Sequence, residues 1–417
     1  MATKRSRTIP APGRPATEVL TAGFDPRLSV GSVRPAVFRS STYVFRSPES
    51  AERAFAVSSG RADRRPGEDV DLIYSRMSHP NAEILEEQIL PLEKGARAAL
   101  VFNSGLSALA TAFFRFLRPG DAILFTEPLY GGTLHMIHDL LVPFGVRAVP
   151  VQAGDTAGIA AAILATENLK FVLVETPANP TLTMADIASA VKAARRRKDR
   201  PVVAVDNTFM GPVFQHPLAL GADLSIYSAT KFLAGFSDML GGVILGRDPE
   251  MVRSLKGVRS LLGTILQPDE CWILGSRLAT VALRMNKQSK NAERIVKGLR
   301  GNRRIDAIHY PTTARDPEQR RIYRAQCDFP GAIFSLEVKG GKKGAFDLLR
   351  NLRIIKSAVS LGGMESLACH PASTTHSSMT AEEMKASGVS PGLVRFSVGL
   401  EDWRDLLGDI ERALAAG

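Results

Sequence analysis

The chain contains 417 residues, of which 45% are hydrophobic and 23% are charged, and its formal net charge is +11 at pH 7. This length and composition predict a globular protein of two or three domains, at about 100 to 200 residues per domain. Its three cysteines lie far apart without C-x-x-C spacing, which argues against a disulfide framework or a structural zinc site and favours a reducing compartment. The basic N-terminus lacks the apolar segment of a secretory signal, and no run reaches the roughly 18 apolar residues of a membrane helix. The sequence therefore predicts a soluble, cytoplasmic protein without membrane contact.

The excess of positive charge falls largely in short runs, such as 4–7, 195–198 and 303–304, and none of these runs contains interleaved aromatic residues. Surfaces that bind nucleic acid usually combine clustered cations with a recognisable motif or with stacking rings. We interpret the runs as solvated surface and predict no nucleic-acid partner. The alternative from another functional class is a basic protein of the same fold that binds nucleic acid and has no catalytic activity.

Residues 1–65 show little regular periodicity and are interrupted by Pro and Gly, which predicts an extended arm that is ordered only through contact with another surface. The next stretch, 74–81, leads into a predicted helix over 82–90, and Pro91 is the stop signal. Tyr74 and Arg76 belong either to an ordinary loop or to an anion site, because a phenol and a guanidinium both donate hydrogen bonds to phosphate.

Short apolar runs then alternate with helical patterns, which predicts a mostly parallel sheet covered by helices on both faces. The predicted strands are 98–102, 122–126, 148–151, 171–175, 202–206, 224–227 and 242–245. Helices are predicted over 108–116 and from the turn after Tyr130 to about residue 141. Ligands of such sheets bind beyond the carboxyl ends of the strands, so residues that follow strands are the candidates for a functional site.

These strand ends carry groups suited to a phosphorylated aromatic ligand. Ser104, Gly105 and Leu106 begin a helix, whose free N–H groups and dipole favour an anion. Tyr130 offers a ring that can stack on a flat heteroaromatic, and Asn179 offers an amide in a Pro-rich loop. Each residue is also explained by turn chemistry or helix capping when it is taken alone.

The stretch SATKF, residues 228–232, gives this set a chemical meaning. Lys231 stands beside the hydroxyls of Ser228 and Thr230, and Asp206 ends an upstream strand. An enzyme of pyridoxal 5'-phosphate (PLP) needs an amine for the cofactor aldehyde, hydroxyls for the phosphate and a carboxylate that keeps the pyridine nitrogen protonated. The sequence therefore predicts PLP as the cofactor, although Lys231 taken alone is more typical of a surface turn.

From about residue 270 the pattern changes to a long predicted helix over 273–299 and to strands such as 331–338, which predicts a second, smaller α+β domain. Arg395 lies within an apolar, strand-like run, where an unpaired charge is costly to bury. A bidentate carboxylate ligand, such as an amino-acid substrate carries, would explain this residue. An internal ion pair with Glu365 or Asp402 explains it equally well.

Two pairs of histidines are weaker candidates. His135 and His138 are three residues apart on one predicted helix, but no H-E-x-x-H motif is present, so we predict a solvated face and no metal site. His370 and His376 flank a Thr-rich turn. Catalytic bases and hydrogen bonding within the loop are the two interpretations of this second pair.

Nine stretches between about residue 70 and the C-terminus resemble one known family, in the order that the family has them. They are YSRMSHPN, NSGLSA, PLYGGT, ETPANP, VVAVDNTF, SATKF, VSLGGMESL, HPASTTHSSM and GLVRFSVGLED. The chain thus resembles the Cys/Met-metabolism PLP-dependent enzymes, which include cystathionine γ-synthase, cystathionine γ-lyase and β-lyase, methionine γ-lyase and O-acetylhomoserine sulfhydrylase.

The resemblance implies an α/β fold of the aspartate aminotransferase type (fold type I), with a mostly parallel central sheet and a smaller C-terminal α+β domain. It also implies a homotetramer built from two tight dimers. The chain would then comprise an N-terminal arm over 1–70 that contacts a neighbouring subunit, a PLP-binding large domain over 71–280 and a small domain over 281–417.

Roles for single residues follow from the resemblance by motif match. Lys231 would be the lysine that binds the PLP aldehyde, Asp206 would pair with the pyridine nitrogen, and Tyr130 would stack on the ring and assist proton transfer. The phosphate would be bound by Ser104, Gly105, Leu106, Ser228 and Thr230, and by Tyr74 and Arg76 of the neighbouring subunit. The substrate carboxylate and its surroundings would be held by Asn179, Ser360, Thr375 and Arg395.

The leading hypothesis for the reaction is α,γ-elimination of L-methionine or a similar sulfur amino acid to 2-oxobutanoate, ammonia and a thiol. The alternatives are γ-replacement on O-acetylhomoserine or O-succinylhomoserine, and cleavage or synthesis of cystathionine. Val359 stands where cystathionine-handling γ-enzymes usually have a glutamate, and it suits an apolar thioether tail. Gly132 replaces the cysteine usual in methionine γ-lyases, and Phe236 replaces the histidine usual in the family, so the choice of substrate stays open.

Overall fold

The computed structural model of the chain describes residues 14–65, 67–377 and 379–417. Within these residues, one sheet contains seven strands, β1 to β7, which are Ala98–Phe102, Ala122–Glu127, Arg147–Gln152, Leu169–Glu175, Val202–Asp206, Leu224–Ser228 and Gly242–Gly246. Their order across the sheet is β1-β7-β6-β5-β4-β2-β3. In this sheet of the described residues, β7 runs antiparallel to both of its neighbours, and the other strand pairs are parallel. The predicted, mostly parallel central sheet is confirmed, and each of the seven strands predicted for it lies within its observed counterpart.

The helices of the described residues, α1 to α15, follow in chain order. They are Pro15–Thr21, Pro48–Ser58, Pro80–Ile89, Gly105–Phe116, Gly131–His135, Thr156–Ala165, Ile187–Arg196, Gly211–Phe214, Pro249–Leu262, Pro268–Leu278, Val281–Leu299, Pro317–Gln326, Gly341–Asn351, Ala381–Ala386 and Trp403–Ala416. Helix α5 continues through a wider helical turn, Met136–Leu141, so that the predicted helix to residue 141 is present in two parts.

Helices cover both faces of the large sheet, because its strands are apolar on both faces. In β4, Phe171 and Leu173 join one buried cluster with side chains of α4 and α9. The alternate residues Val172 and Val174 join another cluster with α6 and α7. This two-sided burial leaves the carboxyl ends of the parallel strands as the accessible part of the sheet.

A second sheet of the described residues has five strands, β8 to β12, which are Ile305–His309, Ile333–Val338, Lys356–Ser357, Leu367–Cys369 and Leu393–Ser397. Their order is β10-β11-β12-β9-β8, and they are antiparallel apart from the β10–β11 pair. This sheet forms the smaller C-terminal α+β region that the sequence predicts. The largest apolar cluster includes side chains of β1, β6 and β7 from the first sheet and of β9, β11 and β12 from the second, so both sheets share one continuous core.

The single long helix predicted over 273–299 is wrong, because the chain forms α10 and α11 with a break at Ala279 and Thr280. The carbonyl of Arg277 accepts hydrogen bonds from the backbone N–H of Thr280, the hydroxyl of Thr280 and the guanidinium of Arg284. A threonine that bonds to nearby backbone in this way competes with the helical ladder.

Other differences concern the starts of helices and the arm. Helix α4 begins at Gly105 instead of residue 108, because Ser104 caps it in a capping box. Helix α3 begins at Pro80 instead of residue 82, because the ring of His79 accepts the N–H of Ala82. The arm, predicted without regular structure, contains α2, which Ser47 caps.

Residues 1–13 of the predicted arm lie outside the described residues. No helix in the part of the chain that the structure describes has the length and apolar character needed to span a membrane.

Candidate active site

The parallel strands bring several predicted site residues to one edge of the sheet. Glu175 at the end of β4 and Asp206 at the end of β5 are partners in the strand register. Strand β6 lies next to β5 and ends at Ser228, and Thr230 and Lys231 follow it directly. Because carboxyl ends of parallel strands share one edge, the site is assembled by the sheet itself.

The start of α4 and the end of β6 form a narrow cradle. A Cβ atom on Gly105 would lie 2.9 Å from Cβ of Ser228, so the close approach of the two segments requires glycine. The N–H groups of Gly105 and Leu106, the first residues of α4, have no acceptor within the helix. Ser104, predicted as a phosphate ligand, uses its hydroxyl to accept the N–H of Ser107 at 3.1 Å. The cradle therefore offers backbone donors and the Ser228 hydroxyl to an anion.

A short turn fixes the segment that carries the lysine. The hydroxyl of Thr230 accepts the N–H of Gly241 at 3.0 Å, and the N–H of Lys231 donates to the carbonyl of Ser228 at 3.1 Å. The ammonium of Lys231 donates to Oγ of Ser360 at 3.1 Å. Burial, with a smaller effect from the positive charge of Arg395, lowers the pKa of Lys231 to about 8. The amine is therefore much closer to its neutral, nucleophilic form than an exposed lysine is.

Asp206 is held by a residue that the sequence analysis did not single out. Its Oδ1 accepts from the backbone N–H of Thr208 at 3.0 Å and from the Thr208 hydroxyl at 2.6 Å. The same hydroxyl accepts the N–H of Ser228 at 2.9 Å. Burial raises the pKa of Asp206, and the hydrogen bonds from Thr208 oppose that rise. Thr208 thus ties the carboxylate to the end of β6.

Glu175 is the second residue that the sequence analysis missed, although it ends a strand just as Asp206 does. It is buried, its Oε2 accepts the N–H of Tyr130 at 2.9 Å, and its Oε1 accepts the N–H of Asn179 at 3.1 Å. Burial, followed by the neighbouring Asp206 carboxylate, raises the pKa of Glu175 to about 8. The side chain of Tyr130 itself is 42% exposed at the edge of the sheet.

Arg395 is buried in β12 of the second sheet and reaches toward the first. Its guanidinium donates to Oδ1 of Asn179 at 2.9 Å and to the carbonyls of Val359 and Ser360 at 2.8 and 3.2 Å. Among the described residues, no carboxylate lies within ion-pair distance of it, and its Nε has no hydrogen-bond partner.

The predicted ion pairs of Arg395 with Glu365 or Asp402 are wrong. Glu365 accepts a hydrogen bond from Ser237, and Asp402 pairs with Arg404 at 3.0 Å. Arg395 is therefore a buried cation whose described partners are neutral, which favours an anionic ligand.

The Thr-rich turn packs against the loop that carries Asn179. Burial and the charge of Arg395 lower the pKa of His376 to about 4, so its ring is neutral near pH 7. Its Nε2 donates to the carbonyl of Asn179 at 3.2 Å, and its Nδ1 accepts from the hydroxyl of Thr375 at 2.8 Å. His370 bonds to Ser373 and to the carbonyl of Pro391. Both histidines serve hydrogen bonding within the structure, as one of their two interpretations predicts.

Besides Tyr130, three predicted site residues lie at the surface. Tyr74 is 42% exposed, and the guanidinium of Arg76 lies 5.7 Å from the centre of its ring. Arg76 also donates to the carbonyl of Ser260. Val359 is 55% exposed, although its carbonyl contacts Arg395. Within the described residues, Tyr74 and Arg76 have no hydrogen bond to the side chains around Lys231.

The other two histidines, His135 and His138, have different contacts on the surface of their helix. His135 pairs with Asp139 at 3.0 Å on an exposed face, and His138 packs edge-on against Phe125.

The residues present fit PLP together with an amino acid. At Gly105, α4 and the end of β6 approach too closely for a Cβ atom. The backbone N–H groups at the start of α4 are donors for a phosphate. Lys231 supplies an amine of lowered pKa, Asp206 supplies a carboxylate at the strand end, and the orphaned Nε of Arg395 matches a substrate carboxylate.

Comparison with known proteins agrees with this chemistry. The family model described as "Cys/Met metabolism PLP-dependent enzyme" matches residues 16–415. The L-methionine gamma-lyase of Pseudomonas putida is 39% identical over 402 residues, which cover 96% of this chain and 97% of that protein. The crystal structure of a cystathionine gamma-lyase from Micromonospora echinospora matches with a TM-score of 0.86 and 36% identity, over 97% of this chain and all of that one. That of cystathionine gamma synthase from Xanthomonas oryzae pv. oryzae matches with a TM-score of 0.87 and 31% identity, over 97% and 98% of the two chains.

Proposed function

Because the chain belongs to the Cys/Met metabolism PLP-dependent enzyme family, we propose that it catalyses the α,γ-elimination of L-methionine or a similar sulfur amino acid. The products are 2-oxobutanoate, ammonia and a thiol, and one water molecule is consumed. The predicted type I fold is confirmed by the solved structures that the chain resembles. PLP is the cofactor of this family, and the chain is a carbon–sulfur lyase of that group.

The observation that carries the proposal is the buried guanidinium of Arg395 without a carboxylate partner in the described part of the chain. A fork of N–H donors at a buried position binds a carboxylate in two hydrogen bonds and gains most where water is excluded. Every amino-acid substrate supplies such a carboxylate. Asn179 holds the guanidinium from one side, and the carbonyls of Val359 and Ser360 hold it from the other.

The proton transfers are assigned to Lys231. Its Nζ has a pKa lowered to about 8, so it can accept a proton from a substrate carbon and return it near neutral pH. PLP, when bound, supplies an electron sink for the electrons that the α-hydrogen leaves behind. Removal of the α-proton and then of a β-proton from the substrate allows the thiolate to leave from Cγ. Ser360, 3.1 Å from Nζ, orients the amine between these transfers.

The substrate tail is assigned from the surroundings of Arg395. Val359 contacts the carboxylate-binding Arg395 through its backbone carbonyl. Its branched apolar side chain is 55% exposed in the single chain, and a thioether is the sulfur-containing tail that suits it. Relatives named L-methionine gamma-lyase, at 39% and 38% identity, support this choice. Gly132 favours a second candidate, γ-replacement on an O-acylated homoserine, because sulfhydrylases and synthases resemble this chain at that position.

The experiment measures 2-oxobutanoate release by the PLP-loaded protein from L-methionine, L-cystathionine and O-acetylhomoserine, with and without added sulfide. Oxo acid and thiol from methionine are the expected result. Replacement products that appear only from the homoserine ester with sulfide would support the second candidate. Oxo acid from cystathionine alone would contradict both. Lys231→Ala is the control, and it should abolish every one of these activities.

The assembly is part of the proposal. We propose a cytoplasmic homotetramer of two tight dimers, in which Tyr74 and Arg76 bind the phosphate in the neighbouring subunit's site. Their exposure and their place beside the arm support this assignment, since Thr42 of the arm pairs with Tyr74 in a β-bridge.

A further inference from the structure

Glu175 uses both of its carboxyl oxygens as acceptors for backbone N–H groups of two separate segments. Oε2 accepts from Tyr130 at the start of α5, and Oε1 accepts from Asn179 in the loop after β4. The backbone N–H of Glu175 itself donates to the hydroxyl of Thr126 in β2 at 3.0 Å. This buried side chain is therefore a link between three segments at the edge of the sheet.

Each of the two segments carries one part of the substrate site. The Tyr130 segment presents the exposed phenol ring, and the backbone there is close to the Thr-rich turn, because a Cβ on Gly131 would lie 2.6 Å from the carbonyl of Thr375. The Asn179 segment presents Oδ1 to Arg395 at 2.9 Å. A shift of either segment changes the space between the ring and the guanidinium.

Apart from these hydrogen bonds, the surroundings of Glu175 disfavour a carboxyl group. Glu175 is buried beside a second carboxyl, Asp206, and both effects raise its pKa. Among the described residues, it has no ion-pair partner. Two facing N–H groups nevertheless need two acceptor oxygens, and a glutamine offers only one oxygen and an amide that repels the second N–H.

We propose that Glu175 is a positioning residue that sets the distance between the ring of Tyr130 and the carboxylate-binding pair Asn179 and Arg395. This inference rests on the proposed role of Arg395. If Glu175 has this role, the affinity for the substrate carboxylate depends on a residue that does not touch the substrate. Glu175 thereby fixes the position of the Tyr130 ring relative to Asn179 and Arg395.

Glu93 provides a matched control elsewhere in the fold. It is likewise buried, burial raises its pKa to about 8, and it accepts hydrogen bonds from the hydroxyl of Tyr227 and from the N–H of Leu218. It bonds to no residue that is assigned to the substrate. A substitution of Glu93 by Gln therefore disturbs a similar buried carboxyl without changing the site.

The test is calorimetric binding of L-norvaline to the PLP-loaded protein, because norvaline carries the amino-acid carboxylate and amine but no leaving group. Loss of one hydrogen bond to a buried donor predicts that Glu175→Gln weakens norvaline binding about tenfold or more. Glu93→Gln should lower the unfolding temperature and leave the norvaline Kd within about twofold of the wild-type value. Thr126→Val, which frees the backbone of Glu175, should weaken norvaline binding by a smaller factor, and it provides the test if Glu175→Gln does not fold.

Equal norvaline affinity in the wild-type protein and in both site variants, whatever their stability, would overturn the inference. It would leave the proposed function intact if methionine still releases 2-oxobutanoate. A wild-type protein that releases no oxo acid from methionine, but binds norvaline in a Glu175-dependent way, would contradict the proposed function and support the inference.

Discussion

At the scale of single residues, Lys231 is distinguished by the charges around it. The fold places it in a half-buried position with a neutral hydroxyl as its partner, and the guanidinium of Arg395 is the charge that adds to the effect of burial. Both effects penalise the ammonium form, because a cation loses hydration on burial and is repelled by a second cation. The lowered pKa of this lysine is thus a consequence of the same arginine that is assigned to the substrate.

The first prediction concerns the pH dependence of cofactor uptake by the apo protein. A pKa lowered to about 8 means that Lys231 becomes neutral as the pH rises through about 8, so the rate of PLP uptake should rise over that range and not near the ordinary lysine pKa of 10.5. Stopped-flow absorbance of the bound cofactor measures this rate. Arg395→Met removes a positive charge and should move the midpoint to higher pH. An unchanged midpoint in that variant would contradict the electrostatic account.

The second prediction concerns Gly132, where a Cβ atom would lie 2.7 Å from Cε1 of Tyr130 and 3.2 Å from Cδ1 of Leu106. Gly132→Cys must therefore move the Tyr130 ring. If this ring stacks on the cofactor as the family resemblance implies, its displacement should lower kcat by about tenfold or more. Steady-state kinetics with methionine measure the effect. The control is Gly257→Cys on α9, where a Cβ meets no atom within 4 Å. A kcat in Gly132→Cys equal to that of the control would show that the ring position does not matter.

At the scale of elements, the segment after Lys231 is held by α11. Arg284 of this helix donates to the carbonyls of Phe232 and Leu233 at 2.8 and 3.0 Å. The ring of Phe236 lies against two guanidiniums, 4.4 Å from that of Arg277 and 5.7 Å from that of Arg284. Phe236, which departs from the family pattern, thus connects the segment after Lys231 to α10 and α11, the two helices on either side of the break at Thr280.

The third prediction tests this contact with Arg284→Met. Two buried carbonyls lose a charged donor, so the free energy of unfolding should fall by about 2 to 3 kcal/mol. Fractional PLP occupancy should fall with it, because the turn that positions Lys231 loosens. Urea unfolding and cofactor absorbance measure the two effects. Lys290→Met, an exposed change on the same helix, should alter stability by less than about 0.5 kcal/mol. Equal losses in both variants would contradict the assignment.

The strands were predictable because their apolar runs are buried on both faces, so the pattern alone marks β4 and β5. Helix starts and the break at Thr280 depend on single side chain to backbone bonds, such as that of Ser104, which a periodic pattern does not contain. The position of Asp206 at a strand end is enough to predict it as a site residue, whereas the role of Glu175 depends on the N–H groups of Tyr130 and Asn179, which only the folded chain brings to it. The three neutral partners of Arg395, which are Asn179, Val359 and Ser360, come from two distant segments, so its environment required the assembled fold.

At the scale of the whole molecule, the arm and the stretch after it present large apolar side chains to solvent in the single chain. They include Leu20, Leu28, Val30, Val33, Val44, Phe55 and Tyr74. Exposed apolar surface of this extent typically marks an interface. It is consistent with the proposed tight dimer, in which Tyr74 and Arg76 would complete a site that the chain does not complete by itself.

The fourth prediction is complementation between two inactive variants. A dimer formed from one Lys231→Ala subunit and one Arg76→Ala subunit contains one site with both residues intact, if Arg76 serves the neighbouring subunit. Co-expression in equal amounts gives such mixed dimers about half of the time, so about a quarter of the wild-type activity should return. Each variant expressed alone is the control and should have little activity. If Arg76 instead serves the site of its own subunit, a mixed dimer contains two defective sites, and co-expression restores nothing.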